Sequence, residues 1–157
     1  MTVALWTFGR SKAPWLVEAR DQYLKRLRPL VRLDYRELTG IKLPRKPDAA
    51  TTKRLEAEHV LAKLAAGDRL ILFDERGRAH TSRAFAQYLE RLQHQGGSRI
   101  VLLVGGAYGF DESLYARAEG KLRVSDMTFS HQLVRVLILE QLYRAYAILN
   151  NHPYHND

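Results

Sequence analysis

Apolar residues along this chain fall into alternating short runs and helical stripes. Thr2 to Phe8 is a compact apolar run that reads as a strand, and after Gly9 and Pro14 the residues Leu16, Arg20, Tyr23, Leu24 and Leu27 recur at helical spacing. Val31, Leu33 and Tyr35 alternate with Arg32, Asp34 and Arg36, the period of a half-buried strand. Thr39 to Asp48, with Gly40, two prolines and three basic residues, predicts a basic loop. Residues 51 to 66 follow as a helix carrying Leu55, Leu61 and Leu64, ended by Gly67 before a strand at Leu70 to Phe73. Thr81 is a cap for a helix with Phe85, Leu89 and Leu92 on one face, and a strand at Ile100 to Val104 comes after Gly96 and Gly97. A short helix from Asp111, a short segment at Leu122 to Val124 and a long apolar helix from about His131 to Leu149 complete the order. The alternation predicts one α/β domain over residues 1–157, a largely parallel sheet with helices on both faces.

In such sheets ligands bind outside the carboxyl ends of the strands, which directs attention to Phe73-Asp74, Gly105-Gly106 and the segment after Val124. Val104-Gly105-Gly106-Ala107-Tyr108-Gly109-Phe110 leaves an apolar strand and enters a helix, and its glycines allow close approach of a flat ligand to backbone amides. It matches neither the dinucleotide nor the P-loop fingerprint, and a plain tight turn is the alternative reading. Ser125 to Arg135 runs from a turn-prone loop straight into a helix, with His131 and Arg135 four apart on one face. There Arg135 is suited to an anion and His131 to proton transfer, or the two form only a local cap and ion pair. The tail Asn151-His152-Pro153-Tyr154-His155-Asn156-Asp157 is polar and aromatic, and its two histidines without further ligands give no metal site.

A formal charge of +8 and an isoelectric point near 9.9 point to a polyanionic partner, with RNA, DNA and anionic membrane all open. The charge is concentrated early: residues 1–60 hold 13 Lys or Arg against 7 Asp or Glu. The absence of cysteine excludes thiol chemistry, and no apolar stretch approaches the ~18 residues that span a bilayer, so a cytoplasmic protein without membrane association is expected.

Three features in fixed order, a GG-x-x-G loop, then M-T-F-S-H-Q-L-V-R, then L-Y-R-A-Y-x-I with N-H-P-Y-H, resemble the RlmH family of SPOUT methyltransferases. The resemblance implies a SPOUT-type α/β fold whose C-terminal segment forms a deep trefoil knot. It implies S-adenosyl-L-methionine (AdoMet) bound by Phe73, Gly105, Val124, Ser125, Asp126, Met127, Thr128 and Phe129. The implied reaction is methylation of N3 of a pseudouridine in 23S ribosomal RNA, in the large subunit or the assembled ribosome, without a metal. Family tails place a basic residue after Tyr-His, where this chain has Asn156 and Asp157.

The imide proton of the target requires a base, for which His155, His131 and Tyr154 are the candidates, His155 being preferred because a tail can reach over an open pocket. Two rival readings stand beside this one: a non-catalytic RNA-binding or ribosome-associated factor, and a SPOUT enzyme acting on tRNA. Gly105→Val is expected to abolish cofactor binding while leaving the protein folded. A homodimer is expected because Leu133, Val134, Val136, Leu137, Ile138, Leu139, Leu142, Tyr143 and Tyr146 surround the last helix.

Overall fold

A computed structural model describes all 157 residues. Five strands form one wholly parallel sheet: β1 (Thr2–Phe8), β2 (Leu33–Leu38), β3 (Asp68–Ala79), β4 (Arg99–Val104) and β5 (Gly120–Arg123), in the order β2-β1-β4-β3-β5. β1, β4 and the Leu70 to Phe73 part of β3 are continuous apolar runs because helices cover both faces, whereas the edge strands β2 and β5 are only partly buried. Val3, Leu5, Ile71, Ile100, Leu102 and Val104 face one core with α1 (Pro14–Leu27), α3 (Ser82–His94) and α5 (Leu133–Leu149). Ala4, Trp6, Leu70, Leu72, Val101 and Leu103 face the other with α2 (Ala49–Lys63) and α4 (Glu112–Arg117).

Side-chain caps start three of the helices. The Asp48 carboxylate accepts from Thr51 N at 2.6 Å, Thr81 Oγ1 from Ala84 N at 3.1 Å, and Asp111 Oδ2 from Ser113 N at 3.0 Å, each worth about 1 kcal/mol. Phe85, Leu89 and Leu92 of α3 are buried at helical spacing, and each such side chain contributes about 1.5–3 kcal/mol.

The sequence pattern places every element but misjudges some bounds. β3 runs well past Phe73 because its pairing with β5 is interrupted and resumed: Phe73 and Arg78 both register with Leu122. Residues 74–77 therefore bulge from the sheet edge, and Gly77 is required there because a Cβ would overlap the Leu122 backbone. The last helix begins at Leu133, with His131 and Gln132 in a turn before it.

Candidate active site

The carboxyl ends of β3, β4 and β5 open onto a cleft of about 780 Å³. Three segments wall it: Phe73 to Arg76 after the regular part of β3, Val104 to Phe110 after β4, and Arg123 to His131 after β5, of which Asp126 alone does not line it. Lys53, Glu112, Tyr115 and Val134 close its sides. Another concavity, of about 720 Å³, is walled mainly by one local stretch, Arg28 to Tyr35, and holds none of the candidate catalytic or cofactor-binding residues.

The cleft floor is apolar, with Val104 and Phe110 buried, while Tyr108, Met127 and Phe129 are exposed at its mouth. The β3 bulge gives it polarity. Asp74, whose side chain is only 8% exposed, accepts from the Tyr115 hydroxyl, and the Arg76 guanidinium lies 4.7 Å from the Tyr115 ring centroid. Burial, with Asp74 beside it, raises the Tyr115 pKa and keeps its proton on the phenol. Ending the strand at Phe73 hides Glu75 and Arg76, for which Gly77 within D-E-R-G-R is the available signal of a bulge, and Tyr115 of α4 carries no local signal of its approach to Asp74.

The glycine loop is a tight turn: Gly109 N donates to Gly106 O at 3.3 Å, and Gly109 sits at φ +79°, which leaves Tyr108 at its tip. A Cβ on Gly105 would stand 3.2 Å from the Phe110 ring, and one on Gly106 2.8 Å from Glu56 Oε2. A side chain at Gly105 thus lies against the buried Phe110, which must shift by a few tenths of an ångström to admit even a Cβ. Glu56, unremarked in the sequence, has its carboxyl pushed up to about 7 by burial alone.

Of the expected cofactor residues, Phe73, Gly105, Val124, Ser125, Met127, Thr128 and Phe129 line the cleft. Asp126 is turned outward, paired with Arg123 at 3.0 Å. The expected catalytic residues separate. His131 is in the cleft wall, and partial burial together with the charges of Arg135 and Lys12 lowers its pKa, favouring the neutral imidazole. Arg135 is only 1% exposed and is not in the wall: it donates to Gly9 O at 2.8 Å, to Phe8 O and to His131 O at 3.1 Å. Its guanidinium thus secures the carboxyl end of β1 instead of meeting a ligand in the cleft.

No tail residue lines the cleft. Tyr154 packs edge-on against Tyr143 with centroids 4.6 Å apart and donates to Glu140 at 3.2 Å, and burial and Glu140 push its pKa up to about 12. His155 lies 3.1 Å from Arg144 and 2.8 Å from Asp157, and Asp157 pairs with Arg83 at 2.6 Å. Asp157 thus ties the tail to α3. No helix is long and apolar enough to cross a membrane.

Comparison with known proteins finds that the family model described as a predicted SPOUT methyltransferase matches residues 1–155. The protein named ribosomal RNA large subunit methyltransferase H of Parabacteroides distasonis is 41% identical over 157 residues, 100% of each chain. Proteins of the same name from Ralstonia pickettii and Flavobacterium johnsoniae are 40% and 39% identical, each covering 99% of both chains.

Proposed function

This chain belongs to the SPOUT methyltransferases of the ribosomal RNA large subunit methyltransferase H family, and from that premise we propose that it methylates 23S ribosomal RNA at N3 of a pseudouridine in helix 69, with AdoMet as donor. The observation that carries the proposal is the cleft at the ends of β3, β4 and β5, walled by the loops the family resemblance assigns to the cofactor.

The cleft suits the group. Its volume is within the roughly 300–1,000 Å³ of small-ligand sites. Phe73, Val104, Val124 and Phe129 offer apolar surface to an adenine, and Gly105 with Val124 to Phe129 offers backbone amides and carbonyls. Asp74, Glu75 and Glu112 offer carboxylates to the sulfonium and ammonium of such a ligand, and Lys53, Arg76 and Arg123 in the same lining offer cations to its carboxylate. AdoMet, when bound, supplies an electrophilic methyl group on sulfur. The protein's contribution is to hold the target nitrogen in line with that methyl and to take the imide proton. His131, the one imidazole in the wall, accepts that proton in its neutral form.

The trefoil knot belongs to the same proposal: the segment from Val124 to Gln132 passes the ends of β3 and β4 before α5 packs against α1 and α3. So does the homodimer. Leu133, Val136 and Leu137 are half-buried on one face of α5 and pack against neither core, an apolar strip suited to a second copy. One turn further on, Glu140 and Arg144 hold Tyr154 and His155, so the tail borders that strip, which supports a reading in which it reaches the cleft of a second copy.

The test is a methylation assay with AdoMet on free 23S RNA, isolated large subunits and assembled ribosomes, the product nucleoside being identified by mass spectrometry. N3-methylpseudouridine is expected. Stoichiometric AdoMet binding without methyl transfer to any of the three would reject the substrate; no AdoMet binding at millimolar concentration would favour a non-catalytic RNA-binding factor.

A further inference from the structure

Trp15 is 60% exposed and packs against neither core cluster. It sits in the first turn of α1, directly after a loop whose Arg10 and Lys12 are also exposed. That loop is fixed. Gly9 O and Phe8 O accept from the buried Arg135, Ser11 N donates to Glu37 Oε1 at 3.0 Å, and Gln132 bridges the loop twice, accepting from Lys12 N and donating to Arg10 O, both at 3.2 Å. Gln132 directly follows His131 in the cleft wall, and the charge of Lys12 contributes to lowering the His131 pKa. An exposed indole in the first turn of α1 therefore directly follows a fixed loop that carries two exposed cations and is tied through Gln132 to the chain segment of the cleft wall, where Tyr108, Met127 and Phe129 are exposed as well.

We infer that Trp15 is a stacking platform for an unpaired nucleobase of the RNA substrate, with Arg10 and Lys12 taking the flanking phosphates. This rests on the functional reading above and adds a specificity element to it. A base stacked on a fixed aromatic is recognised by its π-face alone, which selects unpaired RNA over duplex without reading sequence. The flanking charges favour a polyanion over a protein partner at this spot. Fixing the loop beforehand removes the ordering cost that a flexible aromatic would incur on binding.

Tryptophan emission gives a direct readout, because Trp6 is fully buried and Trp15 is the exposed indole. Titration with a stem-loop RNA should quench emission, whereas a fully paired RNA duplex of equal length should not. Trp15→Ala should lose the quench and bind the stem-loop about tenfold more weakly. Trp15→Phe should bind nearly as wild type, and both variants should keep wild-type AdoMet affinity by calorimetry and wild-type mass by light scattering. Equal quenching by stem-loop and duplex, or unchanged RNA affinity in Trp15→Ala, overturns the platform. So does a Trp15→Ala protein that is monomeric where the wild type is dimeric, since Trp15 would then be a contact between protomers. A wild-type protein that transfers no methyl group while Trp15→Ala still loses RNA affinity supports the platform and rejects the methylation reading instead.

Discussion

Arg135 Nη1 lies 3.6 Å from Glu37 Oε2, joining the last helix of the chain to the second strand across the end of β1. Glu37 also accepts from the Tyr35 hydroxyl at 2.8 Å, from Arg20 at 3.1 Å and from both the backbone and the hydroxyl of Ser11. The Ser11 bonds and the others together hold its carboxyl down to about 2 against the cost of burial. Because the folded pKa lies below the unfolded value of 4.5, the stabilisation is full above that pH and is lost as pH falls toward 2. Glu37→Gln should therefore cost on the order of 2 kcal/mol at pH 7 and almost nothing near pH 2, measured by denaturant unfolding. Arg135→Leu should cost about 3 kcal/mol, since Glu37 and the Phe8 and Gly9 carbonyls lose their buried partner.

Glu56 runs the other way. Its carboxyl is raised to about 7 by burial against Gly106, so ionising it penalises the fold. The penalty is absent below the unfolded pKa of 4.5, grows up to about pH 7 and is constant above. Glu56→Gln should raise Tm by a few degrees at pH 8 and leave it unchanged at pH 4. An equal shift at both values would assign the effect to packing.

Asp74 gives the cleft a carboxylate that is nearly enclosed. Asp74→Asn keeps an acceptor for the Tyr115 hydroxyl and removes the charge. AdoMet affinity should fall about tenfold, and that of S-adenosylhomocysteine, which lacks the sulfonium, less, both by calorimetry. Equal losses would place the sulfonium away from Asp74.

The basic residues of β2 and of the loop after it differ in their surroundings. Arg36 is paired with Asp34 at 2.9 Å and lies over the Trp6 ring, whereas Lys42, Arg45 and Lys46 are exposed in the loop between β2 and α2. Replacing these three by alanine should weaken RNA binding and lower the slope of log affinity against log salt by about 2 to 3. Replacing Arg36 should leave that slope unchanged.

For the dimer, Leu137→Lys places a charge on the free strip of α5 and should give a monomer by light scattering without loss of helix content. Mixing an Asp74→Asn cleft variant with a His155→Ala tail variant should recover methylation if each site combines one protomer's cleft with the other's tail. Full activity of a Leu137→Lys monomer would end the composite-site proposal.

Strand and helix order, the parallel sheet and the two-sided core were legible in the sequence, because a buried parallel strand is an unbroken apolar run and a covering helix shows one apolar stripe. The caps Asp48, Thr81 and Asp111 act within three residues, so local sequence determines them too. The cleft-lining loops were legible for a related reason: in a parallel sheet their position follows from strand order. Only the tertiary structure decided what depends on neighbours distant in sequence. His131 and Arg135 share a spacing that suits a catalytic pair, yet one faces the cleft and the other is consumed by carbonyls of β1 more than 120 residues away. The β3 bulge that brings Asp74 and Arg76 to the site exists because Phe73 and Arg78 both meet Leu122. The tail's polar aromatic motif said nothing of the side on which it would dock. That choice was made by Glu140, Arg144 and Arg83, whose convergence on Tyr154, His155 and Asp157 arises from packing and has no counterpart in local periodicity.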